Sequence, residues 1–338
     1  MEITTKSYKK INDFINKSNN DNNLEFELRF TKKNISNKLF ENIFNKLTFS
    51  KLNNGLGFKY EMIKHLDIFL RNDNNIKSRM TLSNDNVIKK YWLGIDPADS
   101  DISLMEKEKI ENYDDDDYNF RLSLNKELNK KDFLDKNKLL LKSNNSNKYY
   151  RLKNRYSIKS DDNLFSFDLS IVKQGYGLNL KQSKTLESNA IYEIEIEYNN
   201  KIDGIKNKTT EETSKKFVKY LYYILSIINN SNILLKNNVK DDIINNYSKL
   251  VGPKNSGDKF IAARPRTLHK FNLVKSDEKN LYNRYAVTLK ADGVNYFMYV
   301  NTDGRIYYFN KNYEVEDSGY ESKEYIPPLL KSANIETQ

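Results

Sequence analysis

The chain has 338 residues, enough for two domains, and 56 Lys plus Arg against 46 Asp plus Glu give it a formal net charge of +10. That surplus suits a polyanionic partner without choosing among RNA, DNA and an acidic membrane surface. Cysteine is absent, which excludes disulfides and thiolate metal sites and favours a reducing, intracellular setting. The only histidines, His65 and His269, lie far apart, so any metal must rest mainly on carboxylate oxygens, pointing to Mg²⁺ or Mn²⁺ rather than zinc.

The N-terminal residues lack the apolar core of a signal peptide. Residues 7–18 and 36–49 read as helices, the second from Phe40, Ile43, Phe44 and Leu47 at helical spacing. Between them Leu24–Phe30 alternates strictly, with Leu24, Phe26, Leu28 and Phe30 on one face and Glu25, Glu27 and Arg29 on the other. From about 58 to 198 the chain is strand-like, broken by turns such as Arg71-Asn72-Asp73-Asn74. Within it the acidic run Asp114–Asp117 reads as a solvated loop. Residues 211–228 return to helical periodicity, and Phe217, Tyr220, Leu221, Ile224, Leu225 and Ile228 form a stripe suited to core packing. The longest apolar run, Tyr220–Ile228, is too short to span a bilayer, so no membrane association is expected. A short helix at 239–249 precedes a Gly/Pro/Ser-containing linker, which puts a boundary within 235–257. Beyond it, Tyr285–Lys290 and Asn295–Tyr308 look like strands, the latter turned at Thr302-Asp303-Gly304.

Chemistry concentrates on the strands. Glu193, Glu195 and Glu197 share one face of a strand whose other face carries Ile194, Ile196 and Tyr198. Burying such carboxylates unpaired costs several kcal/mol each by order of magnitude, so water, a metal or cationic side chains must answer them. A half-exposed strand with its acidic side in water would also explain Leu24–Phe30 taken alone. Two further strands argue for a shared charged interior: Arg151-Leu152-Lys153-Asn154-Arg155 puts three cations on one face, and Phe167-Asp168-Leu169 sets a lone carboxylate between apolar residues. Together these suit a closed barrel that is apolar outside and charged inside, where acids coordinate metal and cations grip phosphate.

This combination resembles the metal-dependent RNA triphosphatases of the triphosphate tunnel family, found in mRNA capping enzymes of fungi and large DNA viruses, over roughly residues 20–230. The resemblance implies an α+β protein built mainly on an antiparallel closed β-barrel, the triphosphate tunnel, with flanking helices. Glu25 and Glu27 look like the family's first glutamate strand, Glu193, Glu195 and Glu197 like its last, and these five are the implied metal ligands. Arg151, Lys153 and Arg155 resemble the basic strand that holds the triphosphate, and Asp168 the aspartate of the strand after it. Arg79 is the implied phosphate-binding arginine of an earlier strand, and either Lys89 or Lys90 the tunnel lysine, since alternation lets only one point inward. Glu127 is the implied glutamate that orients the attacking water, with a solvated loop-end role as the alternative. The implied catalytic set is Glu127, Glu195, Arg151, Lys153 and Arg155. The implied activity is removal of the γ-phosphate of triphosphate-ended RNA in host cytoplasm or virion. The alternatives are the same barrel hydrolysing NTP or polyphosphate, or a non-catalytic basic RNA-binding module.

A second motif, Lys290-Ala291-Asp292-Gly293, follows a strand and resembles the nucleotidyl-lysine motif of RNA guanylyltransferases and ligases. The family usually has Arg two residues after the glycine, where this chain has Asn295, and no later nucleotide-binding motif follows before Gln338. The expected organisation is a triphosphatase domain at 1–235, a helix and linker at 236–257, and an incomplete guanylyltransferase-like α+β segment at 258–338. Guanylylation of Lys290 is not expected from this chain alone. The implied partners are triphosphate-ended RNA, GTP in a longer form, and a methyltransferase or other capping subunits.

Overall fold

A computed structural model of the chain describes residues 3–30, 35–49, 60–70, 76–128, 147–201, 209–251, 269–274, 296–310 and 312–322. The chain divides into two compact units, Met1–Asn230 and Ser231–Gln338.

The first unit is a closed antiparallel barrel of eight strands. In chain order these are β1 (Leu24–Phe30), β2 (Tyr60–Leu70), β3 (Ile76–Leu82), β4 (Ile102–Asp115), β5 (Phe120–Leu128), β6 (Lys148–Lys159), β7 (Phe165–Gly177) and β8 (Ile191–Tyr198). Around the barrel they run β1-β5-β4-β3-β2-β6-β7-β8, and β1 closes the ring by pairing with both β5 and β8. Closure leaves no free edge and fixes which alternate residues face the interior.

Helices α1 (Thr5–Asn20), α2 (Asn37–Thr48), α3 (Asp85–Trp92) and α4 (Thr210–Asn229) lie in the same unit. Each starts at a side-chain cap: Thr4, Ser36 and Asn84 accept from backbone N–H groups, and Thr209 with Glu212 forms a capping box. Thr209→Ala is therefore expected to lower stability by about 1 kcal/mol, read as an earlier urea midpoint with an unchanged slope. The apolar faces of the helices cover the outside of the barrel. Phe26 of β1 meets Phe14 of α1 edge-on at 5.6 Å and Phe217 of α4 at 5.0 Å, while Phe40 and Phe44 of α2 pack on Tyr192 and Tyr156. Ile88 of α3 joins Leu66, Ile68, Met80 and Leu82. With its hydrophobic burial on the outside, the barrel can afford a polar interior.

Two local expectations are corrected. Residues 85–92, inside the stretch expected to be strand, form a helix. The acidic run is not all solvated: Asp115 is buried, accepting hydrogen bonds from Ser7 of α1 and from the Tyr118 backbone N–H. No described helix is long and apolar enough to cross a membrane.

In the second unit, helix α5 (Asn237–Val251) packs on a three-stranded antiparallel sheet of β9 (Phe297–Val300), β10 (Arg305–Phe309) and β11 (Val315–Glu321). Leu235, Ile243, Tyr247, Tyr299, Tyr307, Phe309 and Val315 form its core. The helix expected to belong to a connector is thus part of this unit's packing, and the division falls at Asn230, ahead of the expected 235. Lys290 and its motif, and the expected strand Tyr285–Lys290, lie outside the described residues.

Candidate active site inside the barrel

Period-two alternation in a closed barrel sends every second side chain inward. On β1 these are Glu25, Glu27 and Arg29, and on β8 Glu193, Glu195 and Glu197. The register sets Glu27 opposite Glu197 and Arg29 opposite Glu195. On β7 Asp168 lies opposite Glu195, and on β6 Ser157 lies opposite Asp168 and Arg155 opposite Ser170. The β6 row Arg151, Lys153 and Arg155 then faces Asp67, His65 and Ile63 of β2. On β3 Arg79 and Thr81 belong to the same inner rows, and on β4 Lys107 lies opposite Glu127 of β5.

Charges answer one another across this interior. Arg29 reaches Glu195 at 2.8 Å and Glu27 at 3.0 Å. Arg155 reaches Asp168 at 2.8 Å and Glu195 at 3.5 Å, and Arg151 pairs with Glu193. Asp67 receives Lys153 at 2.9 Å, the Thr81 hydroxyl at 2.8 Å and Arg79 at 3.9 Å. Lys107 sits against Glu25 and lies 3.5 Å from Glu27, which also accepts from the Asn125 amide at 3.1 Å. Ser157 donates to Asp168 at 2.8 Å.

The titration behaviour separates these acids. Burial alone would raise Glu195, but Arg29, Arg155, Lys153 and Lys107 outweigh it and hold the group at about 2. Asp67 is likewise held well below the ordinary carboxylate range: burial opposes, while His65, Lys153 and Arg79 prevail. Burial pulls the Lys153 ammonium down despite Asp67, so the charge of this pair is more secure on the carboxylate. Glu197 behaves in the opposite way. Burial, then Glu25 and Asp168, push it up to about 8, and among the described residues no cation pairs with it. Burial also raises Glu27 despite Arg29 and Lys107. Around Glu25, Glu27 and Glu197 the carboxylates thus outnumber their paired cations, which among the described residues are Lys107 and an Arg29 shared with Glu195.

Among the described residues no three of these acids converge at metal-ligand geometry. The donor set nevertheless fits a hard divalent cation: all ligands would be carboxylate oxygens, Glu197 has no cation of its own, and the Lys107 ammonium stands between Glu25 and Glu27 as a positive charge an ion could replace.

The structure thus brings Glu25, Glu27, Glu127, Glu193, Glu195, Glu197, Arg79, Arg151, Lys153, Arg155 and Asp168 onto the inner rows. It does not bring Lys89 or Lys90 there. Both are exposed on α3, outside the barrel wall. The inward lysine after β3 is instead Lys107 of β4. Sequence reasoning also missed Asp67 as an interior anchor, although His65-Leu66-Asp67-Ile68-Phe69 carries the same lone-carboxylate alternation as Phe167-Asp168-Leu169.

A closed barrel lined by facing rows of cations and carboxylates is a site for a polyanion handled with the help of acids. In sequence, residues 2–241 match the family model described as mRNA capping enzyme, beta chain, the RNA triphosphatase family, and the chain belongs to this family. That places it among the polynucleotide 5′-phosphatases. It is 27% identical over 331 residues to a probable mRNA-capping enzyme of Acanthamoeba polyphaga mimivirus, a match covering 91% of this chain. The chain spans about a quarter (26%) of the length of that relative. Its fold is similar to the RNA triphosphatase domain of a mimivirus mRNA capping enzyme, with TM-score 0.50 and 23% identity, covering 67% of this chain and 99% of that one.

Proposed function

We propose that the barrel removes the γ-phosphate of triphosphate-ended RNA, the first step of mRNA capping, in a divalent-metal-dependent reaction. The observation that carries this reading is the closed interior in which Arg151, Lys153 and Arg155 of β6 face the acids of β1 and β8.

Arg79, Arg151, Lys153 and Arg155 bind phosphate oxygens, the guanidinium groups two oxygens at a time. Glu25, Glu197 and Glu27, the last also reached by Arg29, would hold Mg²⁺ or Mn²⁺; Glu195, shared by Arg29 and Arg155, and Glu193, on Arg151, hold those guanidinium groups in place. The bound ion would supply Lewis-acid polarisation of a phosphoryl oxygen. Asp168 and Glu195 aim Arg155, and Glu127 orients or deprotonates the water that attacks phosphorus as the bond to the bridging oxygen breaks. Inorganic phosphate and diphosphate-ended RNA leave, with no covalent intermediate. Residues 258–338 carry, at Lys290, a motif counterpart of a nucleotidyl-lysine, for which no guanylylation by this chain is proposed; other capping subunits are its proposed partners. The protein works intracellularly, in host cytoplasm or virion.

Phosphate release from γ-labelled RNA and from NTP, with Mg²⁺, Mn²⁺ or chelator, tests this. RNA turnover that collapses on chelation is expected. Release from NTP but not from RNA would move the assignment to small triphosphates, and release indifferent to chelation would sink the metal-dependent reaction.

A further inference from the structure

One end of the barrel carries an aromatic row that the phosphate chemistry does not use. Phe69 of β2, Tyr149 of β6 and Tyr176 of β7 are direct cross-strand neighbours. Their ring centroids are 5.9 Å and 4.5 Å apart, and Tyr149 and Tyr176 are stacked at 27°. Each is two residues along its strand from an inner-row side chain, namely Asp67, Arg151 and Gln174, so all three rings belong to the tunnel face.

The tip of β7 enforces that orientation. Gly175 and Gly177 face the other way, where a Cβ would lie 2.2 Å from the Ser183 carbonyl oxygen and 2.6 Å from the Ser183 nitrogen. The chain returning through Ser183 thus lies against the outer side of β7 and leaves the inner side to Tyr176. The middle ring is tethered as well: the Tyr149 hydroxyl donates to Gln174 Oε1 at 2.5 Å, and the Gln174 backbone N–H donates to Ser188 Oγ at 3.0 Å.

Cross-strand aromatic pairing is an ordinary way to stabilise a sheet, and it accounts for Phe69 and Tyr149. It does not account for Tyr176, which is 70% exposed and so gains little from burial. A tyrosine held by a stacked neighbour on one face and open on the other is the surface on which an unpaired nucleobase stacks. Arg151, next along the inner row of β6 and about 6–7 Å from Tyr149, links this mouth to the cationic row inside. A triphosphate lying along that row with its γ-phosphate toward Glu197, which pairs at the opposite end of β7, would leave the attached nucleoside at the aromatic end.

We propose that Tyr176, backed by Tyr149 and Phe69, is the stacking platform for the 5′-terminal base of the substrate. This rests on the triphosphatase reading above and gives it a specificity element for base-bearing triphosphates over inorganic ones.

The test compares wild type, Tyr176→Ala and Tyr176→Phe on triphosphate-ended RNA, ATP and inorganic tripolyphosphate, by KM and kcat and by equilibrium binding. In Tyr176→Ala, KM and Kd for RNA and ATP rise roughly tenfold while tripolyphosphate is unaffected, and Tyr176→Phe restores wild-type values. Equal losses on all three substrates, or none on RNA, would overturn the platform. A wild type that binds triphosphate-ended RNA but releases no phosphate would sink the triphosphatase reading, and the binding ratios would still decide the platform.

Discussion

Glu197→Gln abolishes most metal-dependent phosphate release, a loss of roughly a hundredfold or more if ligand removal here costs what loss of a key electrostatic group costs elsewhere. Glu197 is chosen because its surroundings differ from those of its neighbours on β8. Glu195 is held by Arg29 and Arg155, and Glu193 by Arg151, whereas Glu197 faces Glu25, Glu27 and Asp168 with no cation of its own among the described residues. The amide keeps the shape and mimics the protonated acid that burial and the neighbouring carboxylates favour when no metal is bound. The metal-free variant should therefore unfold at the wild-type urea concentration or slightly above it. Its melting temperature should not respond to Mn²⁺, whereas that of the wild type is expected to rise on adding it. Glu195→Gln should behave differently, lowering stability already without metal because Arg29 and Arg155 lose a shared partner. If Glu197→Gln keeps the wild-type response to Mn²⁺ in both melting and turnover, Glu197 is not a ligand.

That contrast between adjacent glutamates is not visible in the sequence, where Tyr192–Tyr198 reads as three equivalent acids on one face. What is visible is the alternation itself. Leu24–Phe30, Arg151–Arg155 and Tyr192–Tyr198 each put strongly different residue types on the two faces, so strand and face follow from period two alone. Asp85–Trp92 lies in strand-rich surroundings that outweigh its own helical signals: the Asn84 cap, and Val87, Ile88 and Tyr91 at helical spacing. The resemblance sets Lys89 or Lys90 in the tunnel, on a segment that the fold makes helical. Lys107 escaped notice for the complementary reason. Glu106, Lys107, Glu108 and Lys109 put charge on both faces of β4, and the irregularity between Lys109 and Glu111 breaks the phase. Cross-barrel pairing, which decides that Lys107 meets Glu25 and Glu27, depends on the closing register of strands about 80 residues apart and has no local trace.

The second large effect concerns stability. Asp67→Asn is expected to cost about 3–5 kcal/mol, the usual penalty for removing one partner of a buried ion pair. Asp67 is 1% exposed and is the acid within reach of Lys153, itself buried, and of Arg79, with the Thr81 hydroxyl completing its shell. Asparagine keeps the shape and an acceptor but leaves the Lys153 ammonium without the carboxylate paired with it, and among the described acids only the more distant Glu195 acts on it. The pH dependence has a definite sign. The folded-state pKa of Asp67 lies below its unfolded value, so its contribution is fully present above the unfolded pKa of about 4 and is lost as pH falls further toward the folded one. The stability gap between wild type and Asp67→Asn should thus be flat from about pH 5 to 7 and shrink below about pH 4, as read by urea unfolding at each pH. Function should follow through Lys153 and Arg79, which lose the anchor that aims them: KM for triphosphate-ended RNA rises more than kcat falls. A variant as stable as wild type at pH 7 would mean that Lys153 is already neutral in the fold, and the β6 row would then contribute two cations rather than three.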